Sequence, residues 1–154
     1  MAELRAVLDT NSVLAAFHSR DPRSPNREIL ERWRRGQFVL LFSADTLLEY
    51  AEKLTEHGVS AAKTSQLLAR ISLAGEEVLI TSFHFRHYPA DADDVAFLLC
   101  ALNGHASHLV TYDDHLLSLQ TFYAREITIC LPLNFLAVCR GIAGEVEPGN
   151  GGTP

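Results

Sequence analysis

Cysteine is scarce in this chain, and the three present, Cys100, Cys130 and Cys139, form no C-x-x-C pair. All lie in apolar surroundings, which excludes a cysteine zinc ribbon and favours buried, reduced thiols over a disulfide framework. No apolar run approaches the ~20 residues of a membrane span. The stretch from Met1 to Leu8 is too short and wrongly flanked for a secretion signal, so the expectation is a cytoplasmic protein. A G-x-x-x-x-G-K-S/T sequence is missing, which argues against a P-loop nucleotide hydrolase. There is no internal repeat, and no excess of positive charge: the net charge is −6, against a strongly basic nucleic-acid binder. Several acids fall in two clusters, however, and a bound metal would neutralise them.

What is present is the composition of one globular domain, 47% hydrophobic and 21% charged. The domain is expected over residues 1–143. Residues 144–154, G-E-V-E-P-G-N-G-G-T-P, have too little apolar content to pack and are expected to be disordered. Arg20, Arg23, Arg27, Arg32, Arg34 and Arg35 fall in one segment with only Asp21, Glu28 and Glu31 against them, a local positive patch.

Short apolar runs at 6–8, 38–42, 78–80, 108–111 and 127–130 alternate with helical patterns. The first helix would be capped by Thr10, Asn11 or Ser12, and others by Ser24-Pro25, Ser43, Ser60, Asp91 and Pro132, with Gly36, Gly75 and Gly104 as stops. The segment 81–89 has no clear pattern. Such alternation predicts an α/β fold whose parallel sheet of about five strands is covered on both faces, a three-layer α/β/α sandwich.

In such a sheet the ligand lies outside the carboxyl ends of the strands, where strand order reverses. Asp9 and Asp113 both follow strands directly, and the helix from Asp91 brings its first turn to the same edge if the first and fourth strands flank the reversal. Four or more acids would then share one crevice. Mg²⁺ or Mn²⁺, which uses one or two carboxylates and keeps several waters, would relieve their repulsion. Such a centre suits in-line displacement at a phosphodiester.

Four segments carry a resemblance: V-L-D-T-N-S-V-L from Val7, S-A-D-T-L-L-E-Y-A-E-K-L from Ser43, D-A-D-D-V-A-F-L from Asp91 and L-V-T-Y-D-D-H-L-L from Leu109. In this order and spacing they resemble the PIN-domain family over most of the chain to about residue 140. The resemblance implies a metal-dependent nuclease, commonly a ribonuclease and, in many prokaryotic members of the VapC-like type, the toxin half of a toxin–antitoxin pair. It implies Asp9, Glu49, Asp94 and Asp113 as the catalytic and metal-binding acids, with Asn11, Asp91 and Thr111 in support. It implies RNA as substrate, Mg²⁺ or Mn²⁺ as cofactor, an antitoxin protein as partner and, in many members, a homodimer. The chain departs from the family with Ala92 where Pro is usual, Tyr112 where Gly is usual and His115 where Asp is frequent. Tyr112 is expected to alter substrate access, because a glycine there serves a backbone angle or a close approach that a bulky side chain resists.

Plainer readings stand beside these. Asp91, Asp94, Asp113 and Asp114 can serve helix starts without any metal. Glu49 lies roughly opposite Leu47, Leu48, Ala51 and Leu54, where Lys53 offers an i,i+4 partner, so periodicity alone makes it a solvated residue. Asp93 and Asp114 read as spectators. The arginines can pair locally with Glu28 and Glu31, or hold RNA phosphates; His84, Arg86, His87 and Tyr88 can stack on bases or form a half-buried connection. The pairs His84/His87 and His105/His108 lack the cysteines that would complete a zinc site. Two rival functions remain: a PIN fold with impaired catalysis that binds RNA or protein, and a haloacid-dehalogenase-like phosphatase with Asp9 as nucleophile, which Asn11 weakens.

Overall fold

The structure, a computed structural model, describes residues 3–142 and 144. The expected tail therefore lies outside the described residues, apart from Gly144. Five strands, β1 (Arg5–Leu8), β2 (Val39–Phe42), β3 (Glu76–Glu77), β4 (His108–Val110) and β5 (Thr128–Cys130), form one sheet in the order β3-β2-β1-β4-β5. Every pairing is parallel. The chain first winds outward from β1 through β2 to β3, then returns to the other side of β1, so strand order reverses between β1 and β4. The helices are α1 (Thr10–His18), α2 (Pro25–Arg34), α3 (Ala44–Glu56), α4 (Ala61–Ala74), α5 (Val95–Asn103), α6 (Asp114–Leu117), α7 (Gln120–Tyr123) and α8 (Pro132–Ile142). They cover the parallel sheet as a three-layer α/β/α sandwich, with α2 packed on α1 and α8, and α3 on α1, α4 and α5. Among the described residues no helix is long and apolar enough to cross a membrane.

Burial on both faces explains the uninterrupted apolar strands: Ala6, Val7 and Leu8 are at most 1% exposed, as are Leu40, Leu41, Leu109 and Val110. The helix starts follow local chemistry. Ser43 and Thr46 form a reciprocal capping box for α3, Ser60 accepts from the Lys63 amide to start α4, and Pro25 occupies the first turn of α2, which ends before Gly36 at φ 75°. All three thiols are buried and free, as their apolar settings implied.

Four expectations need correction. The edge strand is Glu76–Glu77, not residues 78–80: the Val78 amide adds one bond to the Phe42 carbonyl at 2.7 Å, but Leu79 is 75% exposed and the chain turns away. Two exposed acids at the sheet edge discourage pairing with another strand. The cap of α1 is Asp9 itself, not Thr10, Asn11 or Ser12. A short helix, α7, lies between α6 and β5, and the Asp91 helix begins as a 3₁₀ turn, Ala92–Asp94, before α5. The segment 81–89 has no regular element but is latched at both ends. Asn103 accepts from the Thr81 and Ser82 amides at 3.0 and 2.9 Å. The Tyr123 hydroxyl accepts from the His87 amide at 3.1 Å and donates to its carbonyl at 2.7 Å.

Gly104 does close α5, but for space rather than for backbone angle, since its φ is −85°. An added Cβ would stand 2.7 Å from Val78 Cγ2, 2.9 Å from the Cys100 carbonyl and 3.0 Å from Leu41 Cδ1. Gly104→Ala is therefore expected to cost about 1–3 kcal/mol through overpacking, read as a lower urea midpoint. A midpoint equal to the wild type would mean that this contact is slack.

Candidate functional site

The carboxyl edge of the sheet between β1 and β4 gathers the acids. Asp9 leaves β1 with its amide bonded to the Val110 carbonyl of β4 at 2.9 Å, and it is only 4% exposed. Its carboxylate is fixed at both oxygens. Oδ1 accepts from the Thr10 amide at 2.8 Å, and Oδ2 accepts from the Thr111 hydroxyl at 2.7 Å. Thr111, fully buried at the end of β4, also accepts from the Asp113 amide at 2.9 Å through the same hydroxyl oxygen. One side chain thus sets the spacing of two acids 104 residues apart in the chain. Asp113 is half-buried and caps α6, accepting from the His115 amide at 2.8 Å.

Asp94 differs from its neighbours. It is 5% exposed, makes no capping bond at the start of α5, and its Oδ2 has no hydrogen-bond partner. Burial pushes its pKa up to about 7, and the charges of Asp113 and Asp9, a hydrogen bond with Asp113 and the charge of Asp91 push the same way. Burial likewise raises Asp9, against the lowering effect of its Thr111 and Thr10 bonds and with help from Asp113 and Asp91. Asp91 is exposed and accepts from the Asp93 amide at 3.0 Å, so its plain role as a cap is fulfilled, while its charge still acts on Asp9 and Asp94. Capping thus accounts for Asp91 and for part of Asp9 and Asp113. It does not account for Asp94.

Glu49 lies on α3, half-buried rather than freely solvated. Burial raises its pKa first, then the charge of Asp93, with smaller contributions from Glu52 and Asp9 and an opposing one from Lys53. Lys53 pairs with Glu56 at 3.3 Å, not with Glu49 as the spacing suggested. The helix is pinned beside the crevice by the next residue: Tyr50 is fully buried, and its hydroxyl donates to the Leu8 carbonyl at the end of β1. The charge of Asp93, which reads as a spectator in the sequence, acts on Glu49 in the same direction as burial. Asn11, in the first turn of α1, is exposed, and its side chain makes no hydrogen bond among the described residues.

Tyr112 does not need the backbone angle that a glycine supplies: His105 is the residue other than glycine with positive φ among those described. Its ring is 43% exposed at the rim, and its hydroxyl accepts from Asn26 Nδ2 at 2.8 Å, tying the loop before Asp113 to the first turn of α2. Asn26 itself is 5% exposed, with an unpartnered Oδ1. Nothing in the sequence pattern singled it out, because an asparagine after a helix-opening proline reads as ordinary surface. In the histidine pairs, His87 stacks on Phe122 with ring centroids 3.7 Å apart, and His108 Nδ1 lies 2.9 Å from Ser107 Oγ.

Among the described residues no three His, Cys, Asp or Glu side chains are drawn together tightly enough to enclose an ion by themselves. The donor chemistry nonetheless fits a hard divalent cation. Mg²⁺ or Mn²⁺ takes one or two carboxylates directly and the rest as water, and Asp94 offers a buried, unpartnered oxygen beside two more carboxylates. The crevice suits an aspartyl nucleophile poorly, since both oxygens of the buried Asp9 carboxylate are already engaged.

A family model described as PIN domain matches residues 5–115, a span that contains Asp9, Glu49, Asp94 and Asp113. No curated protein matches the chain.

Proposed function

Since the chain belongs to the PIN-domain family, we propose that its acidic crevice hydrolyses RNA phosphodiester bonds as a Mg²⁺- or Mn²⁺-dependent endoribonuclease. Asp94 carries the reading. A buried carboxyl with an unpartnered oxygen beside Asp9 and Asp113 costs stability and serves no packing or capping need. That is the mark of a group retained for chemistry. Asp9, Asp94 and Asp113 would hold the cation, with Glu49 joining directly or through water. When bound, such a cation supplies a Lewis acid for phosphoryl oxygens and lowers the pKa of water.

The remaining work falls to the chain itself. Thr111 holds Asp9 in one orientation and sets the backbone from which Asp113 projects. Glu49, its proton affinity raised by burial and by Asp93, is suited to take a proton from the attacking water. Asp91 and Asp93 add negative charge that favours cation capture at the mouth. A toxin role, a cognate antitoxin, homodimerisation and a cytoplasmic setting are further parts of this proposal, carried by the prokaryotic members of the family rather than by this geometry.

The test is cleavage of labelled single-stranded and structured RNA by the purified protein. Cleavage is expected with Mn²⁺, is expected to vanish in EDTA, and should fall at least ~100-fold in Asp9→Asn and Asp113→Asn, beyond the effect of losing a supporting partner. Metal-dependent cutting that survives both substitutions would sink the assignment of the crevice. Growth arrest on expression, relieved by Asp113→Asn, is the corresponding test of the toxin role.

A further inference from the structure

The arginine-rich segment does not present one uniform patch. Its inner face is tied up in ion pairs: Glu28 holds Arg32 at 2.8 Å and Arg140 at 2.7 Å. Its outer face opens into a cleft of about 490 Å³ between α1, α2 and α4. Arg27 and Arg34 line that cleft from α2, Lys63 and Arg70 line it from α4, and Glu31 is the one acid among the lining residues. All four cations are exposed. Arg34 lies 3.6 Å from Glu31, which Arg35 shares at the same distance, an exposed arrangement of small energetic worth. Arg27, Lys63 and Arg70 make no ion pair among the described residues. A chain of net charge −6 thus gathers unneutralised positive charge from two distant segments into one groove.

We propose that this cleft binds the sugar–phosphate backbone of single-stranded RNA, holding the strand that runs out of the acidic crevice; the assignment rests on the ribonuclease reading. Two helices connect the regions. α1 starts at the Asp9 cap and lines the cleft with Ala16 and Phe17, about 10 Å further along at 1.5 Å per residue. On α2, Asn26 holds Tyr112 beside Asp113, and the next residue, Arg27, turns to the cleft. A crevice of carboxylates repels phosphates, so a substrate strand needs cations close by to fix its register. The polarity of the cleft argues for a polyanion over a protein segment. Its aliphatic lining, Ala16, Leu30 and Leu67, is at most 7% exposed, which leaves the half-buried Phe17 as the one apolar lining side chain open to a partner, against four exposed cations and short of the apolar centre of a protein interface.

Binding of a fluorescein-labelled, 20-nucleotide mixed-sequence RNA, followed by anisotropy in EDTA between 50 and 200 mM KCl, tests this without any cleavage. The triple variant Arg27→Ala, Lys63→Ala, Arg70→Ala removes three exposed cations and should melt like the wild type. Its plot of log affinity against log salt should be shallower by about 2, with affinity lower by about 100-fold at 0.1 M. With Mn²⁺, a dinucleoside monophosphate, whose only phosphate occupies the crevice, should be cut equally by both proteins, whereas the long RNA should show a raised KM in the variant. An unchanged salt slope and affinity overturn the proposal. So does poly-glutamate that binds the wild type but not the variant while RNA binding is the same in both. If the wild type cuts no RNA yet the binding contrast holds, the ribonuclease reading falls and the cleft assignment stands.

Discussion

Asp94→Asn is expected to melt at a higher temperature than the wild type at pH 8 while cutting RNA at least ~100-fold more slowly. The wild-type carboxyl has a pKa of about 7, well above the 3.8 of an ordinary aspartate, so at pH 8 it is ionised in a buried setting beside Asp9 and Asp113. The amide keeps the shape and removes the charge, a gain on the order of 1–3 kcal/mol given ~1.4 kcal/mol per pKa unit and solvent relaxation. Linkage fixes the pH window. Between about 4 and about 7 the folded state binds more protons at Asp94 than the unfolded state does, so stability falls as pH rises through that interval and the loss is complete above it. Asp9, raised in the same direction, adds to the slope. The variant should lack the Asp94 part of the slope and meet the wild type near pH 4. Added Mn²⁺ should raise the wild-type melting temperature at pH 8 more than that of the variant, and EDTA should reverse the effect. A variant that melts lower than the wild type at pH 8 would show that Asp94 is there for stability.

Thr111→Val should be costly in both respects. The hydroxyl donates to Asp9 Oδ2 at 2.7 Å and accepts from the Asp113 amide at 2.9 Å, in a residue with no exposure. Valine fills the same volume but leaves a buried carboxylate oxygen and an amide without partners, at about 2–4 kcal/mol. The urea midpoint should fall accordingly. Cleavage should drop about 10–100-fold, as for loss of a group that orients a ligand. Thr111→Ser, which keeps the hydroxyl, should recover most of both. If the valine variant cuts RNA as the wild type does, the bridge is structural and the acids hold their spacing without it.

The parts of this arrangement that were legible in the chain are those set by local pattern. Uninterrupted apolar runs marked β1, β2 and β4, and an acid placed directly after a parallel strand marked Asp9 and Asp113, because position along a strand translates directly into position at a sheet edge. The first turn of the Asp91 helix is placed at the same edge by its capped start, and the family resemblance picks out Asp94 within it. What was illegible depends on contacts made from afar. Glu49 reads as solvated because helical periodicity reports which face is apolar, not whether the polar face looks onto water or onto other carboxylates. Asp93 reads as a spectator for the same reason. The edge strand is hidden because Val78, Leu79 and Ile80 look like a buried strand, while the pairing uses Glu76 and Glu77, whose backbones bond to β2 whatever their side chains prefer. Of the two reasons a glycine would be placed at Tyr112, a backbone angle and a close approach, the loop does not use the angle. Its real attachment, to Asn26, spans 86 residues.

The placement of β1 between β2 and β4 also governs when the site can exist during synthesis. Asp9 leaves the ribosome 102 residues before its Oδ2 partner, Thr111. At ~5–20 residues per second, the crevice stays unformed for about 5–20 s after its first acid is made. β1 can pair with β2 in the meantime, but its other edge is an open template until β4 arrives. A nascent chain that ends between α3 and β4 carries Asp9 and Glu49 but neither Thr111 nor Asp113, and on the proposed function it is expected to cut no RNA however much of its sheet has formed.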